Sequence, residues 1–441
     1  MSDLLTNWGN HPRVSATLLG YESDEQARDL VSRRAPLIPR GLGRCYGDSS
    51  LAPTVLSTLG RARIIEVDAD LGSCTCDAGL SLGRLLGEII PLGWFLPVVP
   101  GTREVTIGGA IASDIHGKNH HAAGAFSRYV DWMDLLLPDG GIRRITPESD
   151  TDLFHATAGG MGLTGIILRA RVRLVPVSTA FIRKETVVAP DLDAAMALLK
   201  ESESWTYSVA WIDCQARGRR MGRSLIFRGE HADPGDLPGD TPEPLALPRG
   251  RALTIPFNLP SLTLNPLSVR AFNEVYFRRN AASAGGSIEG LSRFFFPLDA
   301  VDNWNRIYGR RGFYQYQAVL PMGESEKGVA EMLKRISASG LGSFLGVIKR
   351  MGHGGGMLSF PLRGFTLALD FPAGRRTLAL FDELDALVLR HGGRLYLTKD
   401  ARMSRTMLDE GYPEADRFRE LRRQLNADGV FASLQSRRLG L

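Results

Sequence analysis

"PRGLGRCYGDSS", residues 39–50, spaces its glycines as G-x-G-x-x-x-G at Gly41, Gly43 and Gly47. That is one residue away from the dinucleotide fingerprint G-x-G-x-x-G. The fingerprint needs an apolar strand before it and a helix beginning inside it, so that a pyrophosphate meets the helix N-terminus. Here "RRAPLIPRG" precedes the loop and is broken by two prolines. "CYGDSSLAPTV" follows, where Gly47, Asp48 and Pro53 all oppose helix. No acidic residue closes a βαβ unit at the expected distance. The nicotinamide reading fails. The loop is then either a nest of backbone N–H groups around phosphate oxygens or, taken alone, a plain turn between strands.

Two further stretches share its character. "PGTREVTIGGAIASDIHGKNHHAAGAF" (100–126) is nearly free of charge, and Gly108, Gly109, Ala110, Ala112 and Ser113 let a flat or phosphorylated ligand approach the backbone. "ATAGGMGLTGIILRARV" (156–172) sets Gly159, Gly160, Gly162 and Gly165 just before a strand. Three small-residue loops in the first part of the chain suit one long cofactor threaded between them, FAD rather than a mononucleotide. His116 and His120 are four apart, but that spacing grips a metal only on a helix, which Gly117 opposes; no acidic partner completes a site. A hydrogen-bonding or flavin-side role is expected, and no metal.

The 441 residues exceed what one core organises, so two domains are expected. The chain is 44% hydrophobic and 23% charged with net charge +5, ordinary for an enzyme and mildly suited to an anionic substrate or membrane surface. No basic block interleaved with aromatics points to nucleic acid. Four cysteines, with no second pair at zinc-like spacing, exclude a disulfide scaffold. "MSDLLTNWGNHPR" shows no Sec-type pattern, and "IIPLGWFLPVVPG" is too short to span a bilayer. A soluble protein, cytoplasmic or peripheral at the inner membrane, is expected.

A helix is predicted at "SDEQARDLVSRRA" and another at "SLGRLLGEII"; a hairpin is predicted around Asp139-Gly140-Gly141. From about residue 178 helical segments ("DLDAAMALLKES", "SEKGVAEMLKRISASG", "TLALFDELDALVLRHGG") alternate with strands ("TYSVAWIDC", "FYQYQAVLP", "GFTLALDFP"). That pattern predicts an α+β layer on an antiparallel sheet. Eight of the 24 prolines fall between residues 232 and 268, which predicts an irregular lid or flap there.

The loops, with "TIGGAIASDIHG" foremost, resemble the vanillyl-alcohol-oxidase-type FAD family. "RGLGRCYGD", "PGTREVTIGGAIASDIHGKNHH", "GLTGII", "WNRIYG", "QYQ", "LSFP" and "GGRLYLTKDAR" resemble, in order, its branch acting on polyprenylphosphoryl ribose. The resemblance implies an α+β, two-domain flavoprotein: an FAD domain over 1–177, an antiparallel-sheet substrate domain over 178–393, and a segment over 394–441 returning to the FAD domain. It implies flavin contacts at Arg40, Gly41, Leu42, Gly43, Arg44, Tyr46, Gly47 and Asp48, and in the second loop at Gly101, Thr102, Thr106, Gly108, Gly109, Ala112, Ser113, Ile115, His116, Gly117 and Asn119. Gly162, Ile167 and Tyr396 complete that set. Tyr46 holds the place of a histidine that binds FAD covalently in some members, which implies non-covalent FAD. The implied reaction takes the 2′-hydroxyl of a polyprenylphosphoryl ribofuranose to the ketone, with a separate NADH-dependent reductase completing epimerisation to arabinose for cell-wall or glycan arabinosylation. A soluble alditol or aldonolactone oxidase of the same family is the alternative.

Flavin oxidation of an alcohol needs a proton acceptor and donors that hold the substrate. Lys399, followed by Asp400, is from the residues alone either a solvated pair or a desolvated base; the resemblance implies the active-site lysine. Tyr46 and His116 are the other candidate acceptors. Gln315 and Gln317 alternate along a strand and share one face, either solvated or turned to a sugar or flavin edge. The resemblance places Lys118 and Lys349 near a substrate phosphate, and Trp211 is a candidate sugar-packing ring. Ala368 stands where some members carry the cysteine trapped by nitroaromatic inhibitors, and Phe295 and Val209 replace polar substrate-side residues.

Overall fold

The computed structural model describes residues 3–33, 36–239, 241, 243–247, 253–260 and 263–441. Two small sheets build the first part of the molecule. One is mixed, in the order Asp3–Thr6, Arg13–Gly20, Thr54–Ser57, Ile38–Arg40. The other is antiparallel, in the order Ile64–Asp68, Ser73–Asp77, Ile166–Arg173, Val130–Leu136, Ile142–Ile145. Strands Val130–Leu136 and Ile142–Ile145 form the predicted hairpin, with Gly140 at φ 83°, a conformation that disfavours a side chain. Ser23 caps helix Asp24–Ser32 by accepting from the Gln26 N–H. Helix Leu82–Ile89, capped by Ser81, buries Leu82, Leu85, Leu86 and Ile89 at helical spacing. No helix follows the first glycine loop: strand Ile38–Arg40 runs parallel to Thr54–Ser57, and the loop crosses between them. The rejection of a Rossmann unit therefore agrees with the backbone.

The rest of the chain is organised by an eight-stranded sheet whose pairings are all antiparallel. Its order is Gly285–Gly290, Phe181–Ala189, Ser224–His231, Tyr207–Ile212, Gly346–Met351, Gly364–Pro372, Phe313–Pro321, Arg394–Leu395. Strict alternation gives it two faces. Tyr316, Ala318, Leu367, Leu369, Ile348 and Ala210 point to one side, where they share a core with helices Leu192–Glu201, Ser325–Ser339 and Arg375–Arg390. Directly opposed residues on neighbouring strands share a face, so the row Gln317, Ala368, Val347, Trp211, Leu225 runs along the other side across five strands. That side meets the glycine loops.

After strand Arg394–Leu395, still an edge of the large sheet, the chain returns to the first part. Leu37 bridges Phe431, and the fully buried Arg422 donates to the carbonyls of Leu163 (3.0 Å) and Phe431 (2.5 Å).

The proline-rich stretch needs a correction. Residues 240, 242, 248–252 and 261–262 of it lie outside the described residues. The described part is mostly irregular, but Leu253–Thr254 pairs with Val301–Asp302, and a helix, Pro266–Ala282, begins inside it. Pro266 occupies the first helical turn, where its missing N–H costs nothing, and the Asn265 side chain accepts from the N–H groups of Leu267 and Ser268.

Candidate active site

The three glycine loops converge. A Cβ on Gly41 would overlap the Thr106 side chain, so the first loop lies directly on the second. Gly162, at φ 76°, sits against Pro39, and the N–H groups of Gly159 and Met161 donate to the carbonyls of Ile111 (3.0 Å) and Ala112 (2.9 Å). The third loop thus pins the short helix Ile107–Ala112, which Thr106 caps by accepting from Gly109 N–H at 3.1 Å. Gly41, Leu42, Gly43, Arg44, Thr102, Gly108, Gly109, Ala112 and Ser113 stay partly exposed and Gly101 is exposed, leaving an open strip along the junction.

Other expected cofactor contacts have their own roles. The Arg40 guanidinium lies under Gly43 and donates to Thr6 carbonyl (2.8 Å) and to Asn7, buttressing the loop. Arg44 lies 4.2 Å over the Trp8 ring. Both carboxylate oxygens of buried Asp48 accept from Arg438, which also reaches Asp400 at 2.8 Å. Gly47 is needed because a Cβ there would overlap the Asp400 carbonyl. Ile115 and Ile167 are packed in the core cluster of the first part rather than lining the strip. A Cβ on Gly117 would crowd Asn119 and Val99; Asn119 donates to Pro97 carbonyl at 2.7 Å.

At one end of the strip stands a cluster of polar side chains. Tyr46 N–H donates to Thr398 carbonyl (2.9 Å), which sews the first loop to the returning segment and sets Lys399 Nζ 3.8 Å from the Tyr46 ring centroid. Burial pulls the Lys399 pKa down, only partly opposed by the Asp370 carboxylate. Asp370 is pushed up by the same burial, and Gln315 Nε2 donates to its Oδ1 at 2.6 Å. Burial also raises the Tyr46 phenol well above its usual value, so it stays protonated.

His116 lies next along this wall. Gln317 Nε2 is 3.1 Å from His116 Nε2 and 3.3 Å from Thr366 Oγ1. Burial holds the imidazole far below its ordinary pKa, so it is neutral. With the Gln317 amide donating to Nε2, the ring keeps its proton on Nδ1, which has no partner among the described residues. Tyr396 stacks on Phe360 (4.7 Å), contacts the His116 ring at 5.1 Å, and donates to Ser113 carbonyl at 2.8 Å. His120 is buried separately, its Nδ1 accepting from Gly352 N–H, with its ring 6.1 Å from that of His116.

Lys118 and Lys349 complete the cluster. Lys118 carbonyl accepts from Ser208 N–H, beside Val209, and its Nζ donates to Phe295 carbonyl at 3.0 Å. Burial, then the Lys349 charge, lowers its pKa to about 7; burial lowers Lys349 to about 8. Neither ammonium has a carboxylate within ion-pair distance among the described residues, so each is an unmatched cation seeking an anion. Trp211 shares the sheet face with Gln317, but its Nε1 donates to Phe344 carbonyl (3.1 Å) and its ring packs on Tyr276 at 4.9 Å. Asp370 escaped the sequence reading. Its signal was alternation: in "TLALDFP" it falls two residues from Ala368, on the same face.

The strip fits FAD on the structure's own terms: glycine backbone is exposed along it, and the buried His116 Nδ1 and Asn119 Oδ1 at its end lack partners among the described residues. The FAD binding domain family matches residues 23–146. Fold and site together define an FAD-dependent oxidoreductase. The chain is 38% identical to the decaprenylphosphoryl-beta-D-ribose oxidase of Mycolicibacterium smegmatis, over 99% of this chain and 97% of that protein. An uncharacterized protein of Streptomyces coelicolor is 37% identical over 82% of this chain and its own full length. The Delta(24)-sterol reductase of Rattus norvegicus is 31% identical over 26% of this chain and 22% of its own. The chain belongs to the vanillyl-alcohol-oxidase-type FAD family, in the branch of the decaprenylphosphoryl-beta-D-ribose oxidases.

Proposed function

We propose that this protein oxidises the 2′-hydroxyl of a polyprenylphosphoryl-β-D-ribose to the 2′-ketone, the first half of epimerisation to the arabinose lipid for cell-wall or glycan arabinosylation. FAD, when bound, supplies the acceptor for the hydride leaving C2′. Lys399 in its neutral form takes the hydroxyl proton. Tyr46 is too weak an acid to serve as a phenolate, and His116 has its Nε2 lone pair engaged by Gln317, so the imidazole offers a donor at Nδ1 instead. Gln315 and Gln317 orient the ribose, Lys118 and Lys349 receive the phosphate, and Trp211 borders the sugar. The observation that carries this reading is the pairing of a desolvated lysine beside Tyr46 with two unmatched lysine cations on one wall.

FAD is held non-covalently, with Tyr46 where some relatives have the tethering histidine. The flavin contacts are the open strip from Gly41 to Arg44, Gly101, Thr102 and Gly108 to Ser113. The ketone passes to a separate NADH-dependent reductase. A lipid-linked substrate implies work at a membrane surface, and among the described residues no helix is long and apolar enough to cross one. The test is product analysis. Protein incubated with polyprenylphosphoryl ribose and an electron acceptor, then borodeuteride, gives ribose and arabinose carrying deuterium at C2. Oxidation of free alditols with peroxide release, and no deuterium in the lipid sugar, overturns the reading.

A further inference from the structure

Among the described residues twelve large apolar side chains are exposed, and five of them fall within residues 253–275: Leu253, Phe257, Leu267, Phe272 and Val275. A soluble surface scatters such residues, so their concentration in so short a stretch marks an interaction face. Helix Pro266–Ala282 explains the arrangement. Its inner face buries Val269 and Asn273 and packs Tyr276 on Trp211, while Asn273 Nδ2 donates to Asp213 at 2.9 Å. Leu267, Ala271, Val275, Arg278 and Ala282 recur at helical spacing on the opposite side and are all exposed, with Leu267 at 76% and Val275 at 66%. The helix is therefore apolar on both faces, and only one is covered by the described residues.

The uncovered face is not neutral. Residues 253–282 carry Arg270, Arg278 and Arg279 against a single acid, Glu274. An apolar helical stripe flanked by arginines, lying flat, is the pattern of a helix seated at a lipid interface with its guanidinium groups among anionic headgroups. The face is also tied to the active site through rings. Phe272 meets Phe344 at 5.5 Å, Phe344 stacks on Tyr308 at 5.8 Å, Tyr308 stacks on Phe313 at 4.4 Å, and Phe313 touches Tyr46 at 5.4 Å.

We propose that the outward face of helix Pro266–Ala282, with the preceding Leu253–Phe257 segment, rests on an anionic lipid bilayer and brings the substrate side of the large sheet to the membrane plane. This deepens the polyprenyl-substrate reading and rests on it for its purpose, although lipid binding is measurable without any substrate. Arg270 and Arg279 supply attraction, and Leu267, Val275 and Phe257 supply insertion. The substrate's phosphoryl ribose then reaches Lys118 and Lys349 while its prenyl chain remains in the bilayer.

The experiment is flotation of the FAD-loaded protein with vesicles of phosphatidylcholine alone or of phosphatidylcholine with phosphatidylglycerol. Binding to the anionic vesicles is expected, weakening with salt. The double variant Leu267→Asp/Val275→Asp should lower partitioning by about tenfold or more, and Arg270→Gln/Arg279→Gln should weaken binding to the anionic vesicles only. Both variants are at exposed sites, and flavin absorbance confirms that they fold. Unchanged flotation of the aspartate variant, or no flotation of the wild type, overturns the proposal. So does a wild-type dimer in sedimentation that the aspartate variant dissociates, since the face then belongs to a second copy. Flotation without oxidation of polyprenylphosphoryl ribose leaves the docking face standing and removes the substrate reading; oxidation of a short-chain analogue without flotation does the reverse.

Discussion

Gln315 and Asp370 face one another across two antiparallel strands, 55 residues apart in sequence, with the Gln315 amide 2.6 Å from the carboxylate. The second oxygen of Asp370 has no partner among the described residues, and the carboxylate acts on Lys399 through charge. Burial pushes the two groups towards their neutral forms, and their mutual attraction resists it, so they titrate as a pair. A buried carboxylate thus tunes the proton affinity of Lys399.

Replacing Asp370 by Asn keeps the acceptor for Gln315 and removes the charge that raises the Lys399 pKa. The rising limb of kcat/KM against pH, where Lys399 becomes neutral, should move to lower pH. An unmoved limb would separate Asp370 from the proton acceptor.

Lys118 and Lys349 have pKa values lowered to about 7 and 8, so the free protein loses their charges just above neutrality. Capture of a phosphate lipid should decline as pH rises through that range, and kcat/KM should fall with it. Lys349→Met should flatten this limb. The stability effect has the opposite sense. Between these values and the ordinary lysine pKa the unfolded chain binds more protons than the folded one, so stability of the unliganded protein rises with pH across that window. Thermal melts of wild type and Lys349→Met over this range check the slope.

Arg438 bridges Asp48 of the first loop and Asp400 beside Lys399. Arg438→Met leaves two buried carboxylates without their cation, which should cost about 3 kcal/mol and loosen the junction that sets Tyr46 beside Lys399. Denaturant unfolding measures the first effect and flavin retention the second.

Ala368 lies in register between Gln317 and Val347 on the site face. Ala368→Cys should permit covalent trapping by nitroaromatic compounds during turnover, when electrons taken from the substrate reduce the nitro group to a nitroso group to which the thiol adds. This is read as a mass adduct on that residue, while the wild type stays unmodified and turnover without inhibitor changes little.

Much of this was legible in the sequence, for a local reason. A glycine loop announces itself by composition, so the 39–50, 100–126 and 156–172 stretches were found before their convergence was visible. Strands Phe313–Pro321 and Gly364–Pro372 match their predicted bounds because each is a run rich in aromatic and aliphatic residues closed by a proline. The partnerships were not legible. Nothing local reveals that Asp48 pairs with Arg438, 390 residues away. Asp370 was passed over because its meaning depends on register with Gln315. Helix Pro266–Ala282 was hidden by the prolines before it, although Asn265-Pro266 is itself a helix-start signal.

In the proposed mechanism neutral Lys399 takes the proton as the alcohol is oxidised. This step is tested most directly by anaerobic rapid mixing of the FAD-loaded protein with polyprenylphosphoryl ribose, following loss of flavin absorbance in wild type and in Lys399→Met. Rapid bleaching of the wild type is expected, with at least about 100-fold slower bleaching of a variant that keeps its full FAD. Equal rates in the two proteins would contradict the account.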